Sequence, residues 1–240
     1  MNHRVSPKAA VRRTHAERSA ATRQHLIATA IEVIQHRSLE EMSIHELAKS
    51  AGMTSGAVQH HFESKAVLMM NVLSELIESS GQSGGLWPDN TLEPGERATR
   101  FVQAVWSLVY AQPRFVVAWN IYLGCRNQPE VLGHIAELRL NVQVRMREGF
   151  FATFPELANA PDRDGFFGLV LSSLRGMGLL QLFAAPQAPQ QPPHEEGTAA
   201  AQQAQLACLA ELIAARCHAA TSSAAPAAPA APAAARGRRR

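Results

Sequence analysis

The sequence predicts an all-α protein: a three-helix N-terminal head containing a helix-turn-helix, followed by a larger helical body. Three observations carry this. Apolar residues recur at helical spacing through most of the chain. Runs of alternating Val, Ile, Thr and Tyr that would mark strands are missing, with aromatics at only 6%. Capping residues and breakers punctuate the first 65 residues at short intervals. With 46% hydrophobic and 18% charged residues, the 240-residue chain can bury a sizeable core, which excludes wholesale disorder.

The first 18 residues or so are polar and aperiodic and read as a basic arm. A helix is expected from Ser19 to Arg37, with Leu26, Ile27, Ala30, Ile31 and Ile34 as its stripe. Ser43 and Glu46 form a capping-box pattern opening a short helix, which Gly52 ends. Thr54 caps the next helix, to about Phe62, and Ser64 caps one from Lys65 to about Ser80. Residues 81–94 read as a loop. Helices are expected from Glu96 to Gln112, from Pro113 to about Cys125, and from Pro129 toward Phe154. The stretch Asp162–Ala185 is strongly apolar, but Ser172, Ser173 and Arg175 make it a buried helix rather than a membrane span. Residues 186–197 are Pro/Gln-rich and read as a loop, and Ala200–His218 as the last helix. The Ala/Pro repeat from Ala219 onward is low-complexity sequence ending in arginines. The expected organisation is therefore an arm (1–18), a helix-turn-helix domain (19–65), a helical body (66–218) and a tail (219–240).

Charge sits at the tips. Taking Arg236, Arg238, Arg239 and Arg240 from the formal net of +3 leaves −1. Arg4, Lys8, Arg12, Arg13 and Arg18 make the start basic as well. Such ends suit contact with a polyanion, or simply solvation of a terminus. Cys125, Cys208 and Cys217 form no CxxC and leave an odd thiol, which argues against a disulfide framework or zinc ribbon. The first residues lack the apolar segment of a signal peptide, so a cytoplasmic location is expected. No phosphate loop, nucleophile–base pair or metal spacing is legible. We expect no enzyme activity, cofactor or metal; His60 and His61, adjacent on a helix, diverge too far to share an ion.

The stretch from Ile44 to Phe62 has the layout of a helix-turn-helix. On a helical wheel, Ala57, Val58, His61 and Phe62 of its second helix fall on one side. Ser55, Gly56, Gln59 and His60 fall on the other. That outer face is small or hydrogen-bonding and carries no acid before Glu63, as a surface reading base edges in a major groove requires. Lys65 follows at a place suited to a phosphate.

Residues Thr22 to Leu73, and above all Ser43-Ile-His-Glu-Leu-Ala-Lys-Ser-Ala-Gly-Met-Thr-Ser-Gly-Ala-Val-Gln-His-His-Phe-Glu-Ser-Lys65, resemble the N-terminal DNA-binding domain of the TetR family of transcriptional regulators. The resemblance implies an all-α homodimer whose C-terminal domain binds a small effector, with repression relieved by that effector. It implies that Ser43 and Thr54 cap helices and touch phosphate. It further implies that Ser55, Gly56, Gln59 and His60 face the groove, that Lys65 holds a phosphate, and that His61 and Phe62 end the recognition helix. Gln59 departs from the tyrosine common there; glutamine can pair with adenine instead.

Beyond about residue 80 only pattern speaks. Trp106, Tyr110, Phe115, Trp119 and Tyr122, on two consecutive expected helices, are candidates for an effector pocket. The last two helices suit a dimer bundle, with Leu174, Gly178, Leu209 and Ile213 as candidate interface residues. The function expected is a sequence-specific DNA-binding regulator, most simply a repressor, that binds a partial palindrome as a homodimer. The alternative is a helical protein-interaction module with its basic tail as a nonspecific anchor.

Overall fold

The computed structural model describes residues 14–37, 39–81, 85–180 and 195–224. Within them the chain is helical, with no strand. Helix α1 spans His15–His36, α2 Ile44–Ser50, α3 Ser55–His61 and α4 Lys65–Gly81. Then follow α5 (Pro94–Val105), a π-helical turn (Trp106–Tyr110), α6 (Pro113–Gly124) and α7 (Pro129–Thr153). A 3-10 turn (Pro155–Leu157), α8 (Arg163–Leu179) and α9 (Glu195–Ala224) complete it. The outer part of the arm, residues 181–194 and the Arg-ending tail lie outside the described residues.

Helix α1 starts at His15, four residues before the expected Ser19, because Thr14 and Glu17 form a full capping box. The Thr14 amide donates to Glu17 Oε2 at 2.7 Å, and the Glu17 amide donates to Thr14 Oγ1 at 3.2 Å. The Ser43–Glu46 box is only half made. Ser43 Oγ accepts from the Glu46 amide at 3.1 Å, but the Glu46 carboxylate pairs with Arg37, a charged and therefore stronger partner. Helix α2 ends in a Schellman turn: Met53 N donates to Ala48 O at 2.8 Å and Gly52 N to Lys49 O at 3.3 Å. Gly52 sits at φ +66°, where a side chain would be strained.

Helix α5 begins at Pro94 rather than Glu96 and widens into the π turn at Trp106. Helix α9 is longer at both ends than the expected Ala200–His218.

Two apolar cores form. One joins α1–α4 and extends into the body through Val117 and Ile121 of α6, Cys125, and Val131 and Ile135 of α7. The packing therefore does not divide at residue 65. The other joins α5, the π turn, the end of α7, α8 and α9, with Phe101, Phe150 and Phe154 fully buried at its centre. Arg97 lies inside it, 1% exposed. It donates to Asn90 O at 2.6 Å, pairs with Glu156 and covers the Phe154 ring.

Candidate nucleic-acid interface and internal cavity

Helix α3 is held at its start, from beneath and at its end. Thr54 Oγ1 accepts from the Ala57 amide at 3.2 Å at its start. Val58 and Phe62 are buried beneath it, fully covered by the head. At its end, Arg23 of α1 lies over the Phe62 ring at 4.7 Å. Its guanidinium donates to His61 O at 3.1 Å and to Asn71 Oδ1 of α4 at 2.7 Å. Nothing in the local sequence pattern singles out Arg23, which acts across 38 residues.

The outer side of α3 is as the wheel predicts. Gly56, Gln59 and His60 are exposed and Ser55 is half-exposed, with its hydroxyl 3.5 Å from His45 Nδ1. A Cβ on Gly56 would meet nothing within 4 Å, so no contact inside the chain demands glycine there. Partial burial, then the neighbouring His60 and Arg23, hold His61 below the ordinary imidazole range. Ser43 caps α2 beside this face and Ser64 Oγ caps α4, accepting from Val67 N at 3.2 Å.

Lys65 is turned inward. Its ammonium donates to Leu39 O at 2.6 Å, tying the α1–α2 connection to the start of α4. Burial pushes its pKa down, partly offset by Cys125 and Glu40. The bond occupies one of its three donors, so it anchors the head whether or not it also meets a phosphate.

A cavity lies in the body between α4, the π turn, α6 and α7. Its first part, about 240 Å³, is lined by Leu76, Ile77, Leu86, Trp87, Val109, Phe115, Ala118, Val142, Arg145 and Met146. Ile77, Val109, Val142 and Met146 are shared with a second part of about 590 Å³ that reaches α8, where Tyr110, Arg139, Arg147, Asp164 and Arg175 join the wall. The π turn presents Val109 and Tyr110, neighbours in sequence, to the same space. Burial pushes the Tyr110 phenol up, against a hydrogen bond and charge from Arg175, so it remains neutral at physiological pH.

Of the five aromatics expected at a pocket, Phe115 and Tyr110 line this cavity. Trp106, Trp119 and Tyr122 are absent from its wall. Trp106 packs against the second core and Tyr122 against the first, while Trp119 lies edge-on between Phe115 and Tyr122. Trp119 and Tyr122 follow Phe115 by four and seven residues and so share its side of α6, but they stand one and two turns farther along the helix. Trp87, stacked on Phe101 at 5.8 Å, and Phe167 are lining aromatics that the sequence pattern missed.

The four candidate interface residues are corrected as well. Leu174, Gly178, Leu209 and Ile213 are buried within the chain itself. A Cβ on Gly178 would stand 2.7 Å from Phe115 Cε1 and 3.2 Å from Tyr110 O, so the close packing it permits is against α6 and the π turn of the same chain. The outward residues of α8 and α9 are others. Leu169 and Leu212, 52% and 42% exposed, flank a groove with Phe166, and Arg216 pairs with Asp162 at its edge.

No helix among the described residues is long and apolar enough to cross a membrane.

Residues 26–71 match the model of the tetR family of bacterial regulatory proteins. The HTH-type transcriptional regulator CymR of Pseudomonas putida is 36% identical over 74 residues, which are 31% of this chain and 35% of that protein. The chain spans about a third of the length of the curated relatives it matches. Among solved structures, a transcriptional regulator from Rhodococcus sp. Rha1 superposes with a TM-score of 0.58 at 21% identity, covering 80% of this chain and 95% of that one. The multidrug binding protein EbrR, complexed with imidazole, does so with a TM-score of 0.53 at 17% identity, covering 80% and 94%. At those identities the likeness is one of fold, and it extends over the body as well as the head. The likeness to the tetR family of bacterial regulatory proteins is thus carried in sequence by the helix-turn-helix segment, residues 26–71.

Proposed function

We propose that the protein is a sequence-specific DNA-binding transcriptional regulator, a homodimeric repressor released from its operator by a small molecule. The observation that carries this is the outer face of α3. Gly56, Gln59 and His60 stand exposed on a short helix whose other side, Val58 and Phe62, is locked into the head. A helix so held presents a fixed pattern of donors and acceptors, and its small side chains allow close approach to base edges. Ser55 belongs to the same groove face, and Ser43, Thr54 and Lys65 flank it as phosphate contacts, with Lys65 using the donors left over from Leu39.

The groove along Leu169 and Leu212 supports dimerisation through α8 and α9. A second copy would cover those leucines and place two recognition helices on one side of the assembly. The cavity supports an effector site. It is largely apolar, has a few convergent polar groups, and lies against α4, the helix on which the head is seated. A related fold in EbrR belongs to a multidrug binding protein.

The test is selection of binding sequences from a random duplex pool with the full chain at physiological salt, where nonspecific binding is weakened. A partial palindrome with half-sites roughly 34–36 Å apart, or a multiple, is expected. Well-folded protein that enriches no motif refutes the proposal.

A further inference from the structure

The two ends of the cavity differ in chemistry. The end near α6 is mostly hydrocarbon and aromatic, walled by Leu76, Trp87, Phe115 and Met146, with one cation, the exposed Arg145. The end near α8 is cationic, with Arg139, Arg147 and Arg175 facing one carboxylate, Asp164. That carboxylate is already compensated. Asp164 Oδ1 accepts from Arg147 Nε at 2.7 Å, and Arg163 stands 3.9 Å from Oδ2. Among the described residues, neither Arg139 nor Arg175 takes part in an ion pair. The group beside Arg175 is the neutral phenol of Tyr110, which leaves the guanidinium charge uncancelled. A half-buried guanidinium with no anion of its own, at the end of an apolar space, favours a ligand with the same asymmetry.

We propose that the effector is an amphipathic organic carboxylate. Its carboxylate is held by Arg175 and Arg139 beside the Tyr110 hydroxyl, and its apolar body lies past Met146 against Phe115 and Trp87. This rests on the cavity being the effector site. The geometry selects by charge as well as by size. A cation of the same shape would meet two unpaired guanidinium groups, and a neutral alcohol would leave both without an anion.

The test is titration calorimetry of the full chain with decanoate, 1-decanol and decyltrimethylammonium, which share a tail and differ in head charge. Decanoate is expected to bind at least about tenfold more tightly than decanol, with the ammonium compound weakest. Arg175→Gln should reduce decanoate to the level of decanol and leave decanol unchanged. Arg175→Lys should restore part of the preference, because it keeps the charge but not the fork. Arg139→Gln, an exposed substitution that leaves the core intact, should lower decanoate affinity alone. Equal binding of decanoate and decanol, or a preference that survives both glutamine variants, overturns the carboxylate inference while leaving the cavity an effector site. No binding of any of the three overturns both.

Discussion

Arg23→Met removes the clamp at the end of the recognition helix while keeping most of the side chain's length. Three interactions disappear: the donations to His61 O and Asn71 Oδ1, and the cation over Phe62. A hydrogen bond from a charged donor contributes about 1.5–3 kcal/mol when buried. Arg23 is half-exposed, and screening reduces each bond to about 1 kcal/mol. The cation–π contact adds about 0.5–1 kcal/mol. The sum is a loss of about 2–3 kcal/mol, read as a shift in the urea midpoint at constant slope. Asn71→Ala alone removes one of the three and should lose about 1 kcal/mol. Arg23→Lys keeps a charge but has a single tip that cannot span both acceptors, so it should recover only a minority. Operator affinity should fall about tenfold in Arg23→Met, since α3 must be reordered on binding at a cost of about 1.4 kcal/mol. A stability loss below about 0.5 kcal/mol, the range of an ordinary surface change, would refute the clamp.

Gln59→Ala should weaken the selected operator by about 1–3 kcal/mol, measured by gel shift, and leave a random duplex unaffected. Leu169→Asp should shift the protein toward monomer in sedimentation without unfolding it, whereas Leu174→Ala should lower stability by about 2–5 kcal/mol; the reverse pattern would return Leu174 to the interface. The Cys217 thiol is pushed up to about 11, by burial first and then by Glu156, against Arg97. An unfolded thiol titrates near about 8.5. Between those values the folded chain retains a proton that the unfolded chain has lost, so stability should fall as pH rises from about 9 to about 11. Urea midpoints across that window should show the fall, flattened in Cys217→Ala. At pH 8 Cys208, which is exposed, should react with a thiol reagent well before Cys125 and Cys217.

What was legible in the sequence was local. Thr54, Ser64 and Gly52 act on amides within a few residues of themselves, so spacing alone identifies them. The exposed face of α3 was legible because seven residues on one wheel leave little choice of side. What failed depends on which distant residue arrives. Glu46 leaves its box because Arg37 approaches. Gly178 does permit close packing, but the neighbour is Phe115 and not a second chain. Arg97, a polar residue in a helix, carries no sign that Glu156 will meet it 59 residues on. Trp87 lay in a stretch read only as a loop, where periodicity says nothing about which cavity a side chain will close.

Helix α4 is where these parts meet. Its first turn carries Lys65, bound to Leu39 O, and its middle carries Asn71, which holds Arg23. Its far half carries Leu76 and Ile77, which line the cavity. Between them Ser74 Oγ stands 2.9 Å from His134 Nε2, joining α4 to α7 on the opposite side of that cavity. Asn71 and Ile77 are six residues apart on one helix, about 9 Å at helical rise. A ligand that wedges α4 from α7 cannot move Ile77 without also displacing Asn71, because a helix over that length is effectively rigid. The bond at stake between Asn71 and Arg23 is worth about 1 kcal/mol after screening. That lies within the 1–3 kcal/mol or so by which an effector typically shifts the affinity of a second site. On the proposed function, the clamp is strong enough to order α3 and weak enough for a ligand in the cavity to release it. For the same reason, Asn71→Ala should lower operator affinity and reduce the further loss caused by decanoate, since part of what the ligand would break is already gone.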